Sequence, residues 1–548
     1  MRILPLFLIL FIFCSCKKEI KELEKESIKS TADISAVSAK DITEFKVLDS
    51  KFISNQEIWN VLETQMNDFL EADYNALKSL IIEQDIPTIQ NHIKEGSLSY
   101  EKLVKFYLYR IRLFDRENNL SLNSVIALNP KVIEQAKLHD KEFKKEGYVH
   151  PIYGMPILLK DNINAQYMST TAGAVALQGN ATADAFIVEQ LKTKGALILG
   201  KANLSEWAYF FCGECPSGYS AIGGQTLNPY GRRTIDTGGS SSGSGVAVAA
   251  NFCVAAVGSE TAGSILSPAS QNSVVGLKPT IGLVSRSGII PISETLDTAG
   301  PMTKNVTDNA IVLDAIFGHD SKDSKSMNIK WGTSYYYNNL NKKESLKGKR
   351  FGAFKSLMED TLYVNAINTL KLEGAVIVEF YAENVNLPDF LRLLNLDMKK
   401  DLPTYLRQYG NPSTPVKNVK DVIAFNTKDS IHIMPYGQAL FRGILADKST
   451  DDEFKNIKQI LKTNGKQFFN VPMHTHKLDG VLSVNNYHAA YAAVAEYPAI
   501  VIPMGYTGDG EPKGLTFIAK PLAEKQLLSW GINYEQASKK RIPPANYN

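Results

Sequence analysis

Between residues 53 and 115 apolar side chains recur at helical spacing. Ile58, Val61, Leu62, Met66, Phe69 and Leu70, and later Leu103, Val104, Tyr107 and Ile111, predict amphipathic helices there. From 152 to 305 the pattern changes to short apolar runs bounded by Gly-, Ser- and Asn-rich turns. Runs at 157–159, 196–199 and 252–257 suit buried strands, and 185–194 and 246–251 suit helices. That alternation argues for an α/β sheet covered on both faces. Residues 325–475 are richer in Lys, Asn and Tyr with charged helical patterning, which predicts peripheral helices. The buried pattern returns at 480–504, most clearly in Ala499-Ile-Val-Ile502. No internal repeat breaks this organisation.

The N-terminus follows neither pattern. Arg2 precedes an apolar run from Ile3 to Phe13, then Cys14-Ser15-Cys16 and Lys17-Lys18. A short basic start, an apolar stretch of this length and small residues beyond it read as an export signal. The ending Phe13-Cys14-Ser15-Cys16 resembles a bacterial lipoprotein signal, with residues 1–15 removed and Cys16 acylated. An ordinary secretory signal or a short anchor helix is the alternative. Residues 16–45, charged at first and then Ser-, Thr- and Ala-rich, read as a solvated tether, and 46–84 as a helical extension. The lipoprotein reading places the protein in a bacterial cell envelope, lipid-anchored in the outer membrane and facing the periplasm.

The 548-residue chain is ordinary for a globular protein, with 44% hydrophobic and 21% charged residues. A formal charge of +3 over this length gives no case for nucleic acid as a partner. Beyond the N-terminus no stretch approaches the roughly 18 apolar residues of a membrane span. Cys212-Gly-Glu-Cys215 has redox or half-metal-site spacing, but a lone pair of this kind reads by default as two incidental thiols, with a local disulfide as the alternative. His474-Thr-His476 lacks supporting ligands and reads as surface.

The candidate chemistry lies in three places. Lys160 closes the apolar run Pro156-Ile-Leu-Leu159 and is followed by Asp161-Asn162. A strand-end lysine ordinarily snorkels to water, but one kept buried loses its proton more easily and can act as a base. Gly238-Gly-Ser-Ser-Ser-Gly-Ser-Gly245 runs straight into Val246-Ala-Val-Ala-Ala250, unlike a linker, and lacks the closing residues of a P-loop or a dinucleotide fingerprint. It does contain G-x-S-x-G around Ser241, a nucleophile-elbow alternative that would need an acid and a histidine partner. Gly258-Ser-Glu-Thr-Ala-Gly-Ser264 follows a predicted strand. Its small residues would let consecutive backbone N–H groups face one oxyanion, with Ser264 as nucleophile.

Several blocks together resemble the amidase signature family. They are Gly154-Met-Pro-Ile-Leu-Leu-Lys160-Asp-Asn-Ile163, Gly200-Lys-Ala-Asn-Leu-Ser-Glu-Trp207, Gly223-Gly-Gln-Thr-Leu-Asn-Pro229, Gly238-Gly-Ser-Ser241, Gly276-Leu-Lys-Pro-Thr280, Asp297-Thr-Ala-Gly-Pro-Met302 and Tyr497-Pro-Ala-Ile-Val-Ile-Pro503. Ser259-Glu-Thr-Ala-Gly-Ser264 and Asp421-Val-Ile-Ala-Phe-Asn426 look most like its peptide amidase branch. The resemblance implies an amidase domain over 85–545 with a peripheral helical insertion at 325–475, built on a large mixed central β-sheet covered by helices on both faces. It implies Lys160 as base, Ser240 as relay after a cis Gly239–Ser240 bond, and Ser264 as nucleophile. Backbone N–H groups of Thr261, Ala262, Gly263 and Ser264 would form the oxyanion hole. No metal or organic cofactor is implied.

Two residues depart from the family pattern. Ala262 replaces a common Gly, which is tolerable where φ is negative. Leu266 replaces a common Arg, which would leave the substrate pocket without one charge and favour an apolar or neutral amide. The preferred reading is an amide hydrolase acting on a small-molecule or peptide carboxamide. The alternatives are the amidase subunit of a tRNA-dependent amidotransferase and a lipid-anchored binding protein without chemistry.

Overall fold

The computed structural model describes residues 44–116, 118–143, 150–340 and 346–547. The proposed signal, Cys16 and nearly all of the tether therefore lie outside the described residues. Among the described residues no helix is long and apolar enough to cross a membrane.

Among the described residues thirteen strands follow in chain order: β1 (Val125–Leu128), β2 (Pro156–Lys160), β3 (Leu197–Ala202), β4 (Tyr219–Ser220), β5 (Gly224–Gln225), β6 (Ala255–Glu260), β7 (Val275–Lys278), β8 (Thr298–Thr303), β9 (Arg350–Phe354), β10 (Val376–Phe380), β11 (Gly480–Val484), β12 (Ala499–Tyr506) and β13 (Pro512–Ile518). β4 and β5 form a small ribbon. The other eleven make one mixed sheet in the order β1-β3-β2-β6-β8-β7-β12-β13-β11-β9-β10. β2 runs parallel to both β3 and β6, whereas β6, β8, β7, β12 and β13 pair antiparallel in succession. Every residue of β2, β3, β6, β7 and β8 is buried, the pattern of strands covered on both faces.

The helical spacing of the first segment resolves into Asn55–Asn60, Glu63–Met66, Glu71–Ile81, Ile86–Lys94 and Tyr100–Ile111. Ser54, Asp85 and Ser99 cap three of them by accepting a backbone N–H, which is why those helices start where they do.

The structure differs from the sequence pattern in two places. The 325–475 stretch is not only peripheral helix: β9 and β10 lie within it and complete the sheet beside β11. β10 is an edge strand with its first four residues partly or fully exposed, so its apolar alternation is weak in sequence. The helix expected at 246–251 instead spans Ser242–Ala249, so half of the Gly/Ser track is helical. Glycine makes this possible. A Cβ on Gly243 would lie 2.5 Å from the backbone oxygens of both Asn203 and Ser124. Helix and sheet edge approach too closely for any side chain there, and this requirement overrides glycine's poor helix propensity.

Two apolar cores result. The larger surrounds the sheet. The smaller joins Trp207, Phe210 and Phe211 to Leu393, Phe441 and Leu461 from the later helices. Ile265 and Leu266 belong to the first core, while Ala262 packs against the second. The loop 261–264 therefore lies on the seam between them.

Candidate active site

Lys160 is the last residue of β2, opposite Ala202 of β3 and next to the exit of β6. Carboxyl ends of adjacent parallel strands converge there, a common place for sites in α/β sheets. The side chain is fully buried, and Nζ lies 2.7 Å from Ser240 Oγ, 2.9 Å from Ser259 Oγ and 3.1 Å from the Ser259 carbonyl. Among the described residues no carboxylate forms a hydrogen bond or ion pair with it. Burial drives its pKa down to about 7, against a weaker upward pull from Asp297 and Glu260.

Ser240 is also fully buried and follows a cis peptide bond from Gly239. Its carbonyl accepts from Ser205 N–H at 3.1 Å. Ser241, the elbow alternative, turns its hydroxyl to the Ser259 carbonyl at 3.0 Å and is fully buried, so it ties the track to β6. Ser241 N–H donates to the Ser264 carbonyl at 3.1 Å, which sets the loop 261–264 beside the Gly/Ser track. Ser264 itself is half-buried. The bonds place Lys160 and Ser240 in direct contact and join Ser264 to Ser241, the residue after Ser240, through its backbone carbonyl.

The loop 261–264 is shaped from both ends. The Glu260 carboxylate accepts the N–H groups of Ile265 at 2.7 Å and Leu266 at 3.0 Å, closing the turn around Ser264. Thr261 Oγ1 donates to Asp297 at 2.5 Å, and Asp297 also accepts from Ile292 and Ser293 N–H, each at 2.9 Å. Gly263 has φ +98°, and a Cβ there would fall 2.9 Å from Asn486 Nδ2, so only glycine fits. Ala262 is outside the left-handed region, which is why alanine is accommodated. Among the described residues, none of the N–H groups of Thr261, Ala262, Gly263 and Ser264 donates to a protein atom.

A cavity of about 420 Å³ opens beside this centre. Asn162, Ser259, Thr261, Ile290, Tyr405 and Asp401 are among the residues that line it. Leu266 is not among its lining residues. It is buried in the larger core at the start of the helix Leu266–Gln271, so it does not set the charge of this cavity as expected from sequence. Arg286, which pairs with Asp323, lines it together with Asp401, whose carboxyl burial keeps largely protonated by raising its pKa to about 8.

Four residues that sequence reasoning did not single out belong to the site: Asn162, Ser259, Glu260 and Asp297. All lie inside quoted blocks, but their roles depend on partners distant in sequence. His474 and His476 end the long helix Asp451–Thr475, and His488 bonds Ser483 at 2.6 Å rather than any serine of the track.

Cys212 and Cys215 are joined in a disulfide, which corrects the reading as incidental thiols. The spacing allowed the bond, and the fold closes it by bringing the two Cα atoms to 5.9 Å. It braces an unusual turn. Trp207, Ala208 and Tyr209 have φ of 51°, 55° and 75°, left-handed values that cost non-glycine residues roughly 1–2 kcal/mol each. Tyr209 Oη donates to the Cys215 carbonyl at 2.9 Å, and Ala208 lines the cavity.

The family model described as Amidase matches residues 102–432. The chain is 35% identical over 485 residues to a probable amidase of Arabidopsis thaliana, covering 85% of this chain and 92% of that protein. Its fold matches an amidase family protein from Bacillus anthracis str. Ames with TM-score 0.86 and 37% identity, over 91% of this chain and 99% of the other. A native peptide amidase from Stenotrophomonas maltophilia matches with TM-score 0.80 and 38% identity, over 84% and 98%. Fold and site define a large mixed-sheet amide hydrolase. The chain belongs to the amidase family.

The disulfide brace leads to a direct expectation. Replacing both Cys212 and Cys215 by serine should lower unfolding stability by about 2 kcal/mol, the loop-closure value for so short a ring. Urea unfolding of the oxidised protein and the double variant measures the difference.

Proposed function

We propose that Lys160, Ser240 and Ser264 act as base, relay and nucleophile in hydrolysing carboxamides, among them the C-terminal amides of peptides. The observation that carries this is the Lys160–Ser240 contact at 2.7 Å around an amine whose pKa lies at about 7. The neutral amine takes the Ser240 proton, Ser240 takes that of Ser264, and Ser264 Oγ forms a bond to the carbonyl carbon. The resulting oxyanion takes hydrogen bonds from the backbone N–H groups of 261–264, each such donor lowering the barrier by about 3 kcal/mol. The relayed proton passes to the leaving nitrogen as its C–N bond breaks. Water then clears the acyl-enzyme by the reverse route.

Peptide amides are favoured by the similarity to a peptide amidase and by a cavity lined by both apolar residues, such as Ile289, Ile290 and Ile292, and polar ones. The proposed lipid anchor at Cys16 would hold the enzyme at the envelope surface on its tether.

Four measurements test this reading. A fluorophosphonate should label the wild-type protein and not Ser264→Ala, and ammonia release from amidated dipeptides should disappear in the same variant. Release from glutamine but not from amidated peptides would instead revive the amidotransferase reading, and neither labelling nor ammonia release would favour the binding protein. kcat/KM should rise with pH through about 7 and fall about tenfold per unit below it, because protonation removes the base's lone pair. A flat profile from pH 5 to 8 in a rapid-mixing assay would remove Lys160 from that role. Cys16→Ala should move the expressed protein from the membrane to the soluble fraction of a bacterial host. Unchanged fractionation would exclude the lipid anchor.

A further inference from the structure

Ser240 is not alone in holding the lysine. The three oxygens around Nζ are the hydroxyl of Ser240, the hydroxyl of Ser259 and the carbonyl of Ser259. They match the three hydrogens of an ammonium. A neutral amine has two hydrogens and one lone pair. The Ser259 carbonyl can only accept, so it takes one hydrogen. The other hydrogen and the lone pair are divided between the two hydroxyls, and proton transfer from Ser240 needs the lone pair to face Ser240.

Asn162 bears on that division. Its Nδ2 lies 3.2 Å from the Ile290 carbonyl and 3.0 Å from Ser259 Oγ. Because a carbonyl cannot donate, Ile290 fixes the amide with its NH₂ group toward Ser259. Ser259 Oγ therefore accepts from Asn162 and is held against the lysine. Its remaining lone pair suits the second amine hydrogen, and its own O–H has an outlet in the cavity that Ser259 lines. Asn162 leaves β2 two residues after Lys160, and Ser259 is the penultimate residue of the neighbouring β6. The three groups thus form one compact unit on two paired strands.

We propose that Ser259, anchored by Asn162, is a positioning residue that turns the Lys160 lone pair toward Ser240. This rests on the reading of Lys160 as the base. The test compares pH–rate profiles and thermal melts of the full chain and of Ser259→Ala, Ser259→Thr and Lys160→Ala, with an amidated dipeptide as substrate. Ser259→Ala should lower the kcat plateau roughly tenfold with KM little changed. It should also move the acid limb to lower pH, because the ammonium loses an acceptor that binds it more strongly than it binds the neutral amine. Ser259→Thr keeps the hydroxyl and should restore both. If the alanine variant does not fold, Ser259→Cys supplies the same comparison with a weak acceptor of similar size. A plateau within twofold of wild type, or a loss of rate with the acid limb unmoved, overturns the proposal. Activity surviving in Lys160→Ala overturns the base assignment and this proposal with it, whereas normal Ser259→Ala kinetics overturn only the latter.

Discussion

Everything at this site depends on a buried amine that has no carboxylate to hold its charge. The contrast with Lys201 makes the point. Both lysines are fully buried, and Lys201 lies opposite Leu159, the residue before Lys160, on the paired strand β3. Lys201 Nζ meets Asp161 at 3.0 Å and also the Ile163 carbonyl and Thr170 hydroxyl. Lys160 meets only hydroxyls and a carbonyl. One amine is an ion-pair partner that ties two strands together. The other is desolvated with no ion-pair contact and only a weaker pull from Asp297 and Glu260, so its neutral form is within reach near neutral pH.

Holding such a group requires a frame that cannot relax around it. β2 and β6 fix the lysine and Ser259 from adjacent strands. The Gly/Ser track enters from the side as a helix that only glycine permits at Gly243. Glu260 and Asp297 close the loop 261–264 from its two ends, and each uses its carboxylate on backbone or hydroxyl donors near the lysine rather than on the lysine. The loop lies where the two cores meet, and Thr261 at its start lines the cavity. Rigidity and access are thus supplied by different parts of the same chain.

The legible part of the site was the part with small, strictly spaced residues. Lys160, Ser240 and Ser264 stand in blocks whose composition limits what they can do. Ser259 and Asn162 stood in the same blocks without distinguishing chemistry. Their meaning comes from one another and from Ile290, more than a hundred residues from Asn162. Leu266 misled in the opposite direction, because adjacency to the nucleophile suggested the pocket while the helix Leu266–Gln271 turned it into the core.

The sequence by itself determined the alternation of buried strands and helices and the lysine and serine blocks from which a serine–lysine chemistry is proposed, because burial periodicity and glycine-rich spacing are local. Tertiary structure alone decided the Cys212–Cys215 bond, the place of β9 and β10 in the sheet, the retirement of Ser241 to a structural tie, and the oxygens around Lys160. Each of these depends on groups far apart in the chain meeting within a few ångströms, and no local pattern records such a meeting.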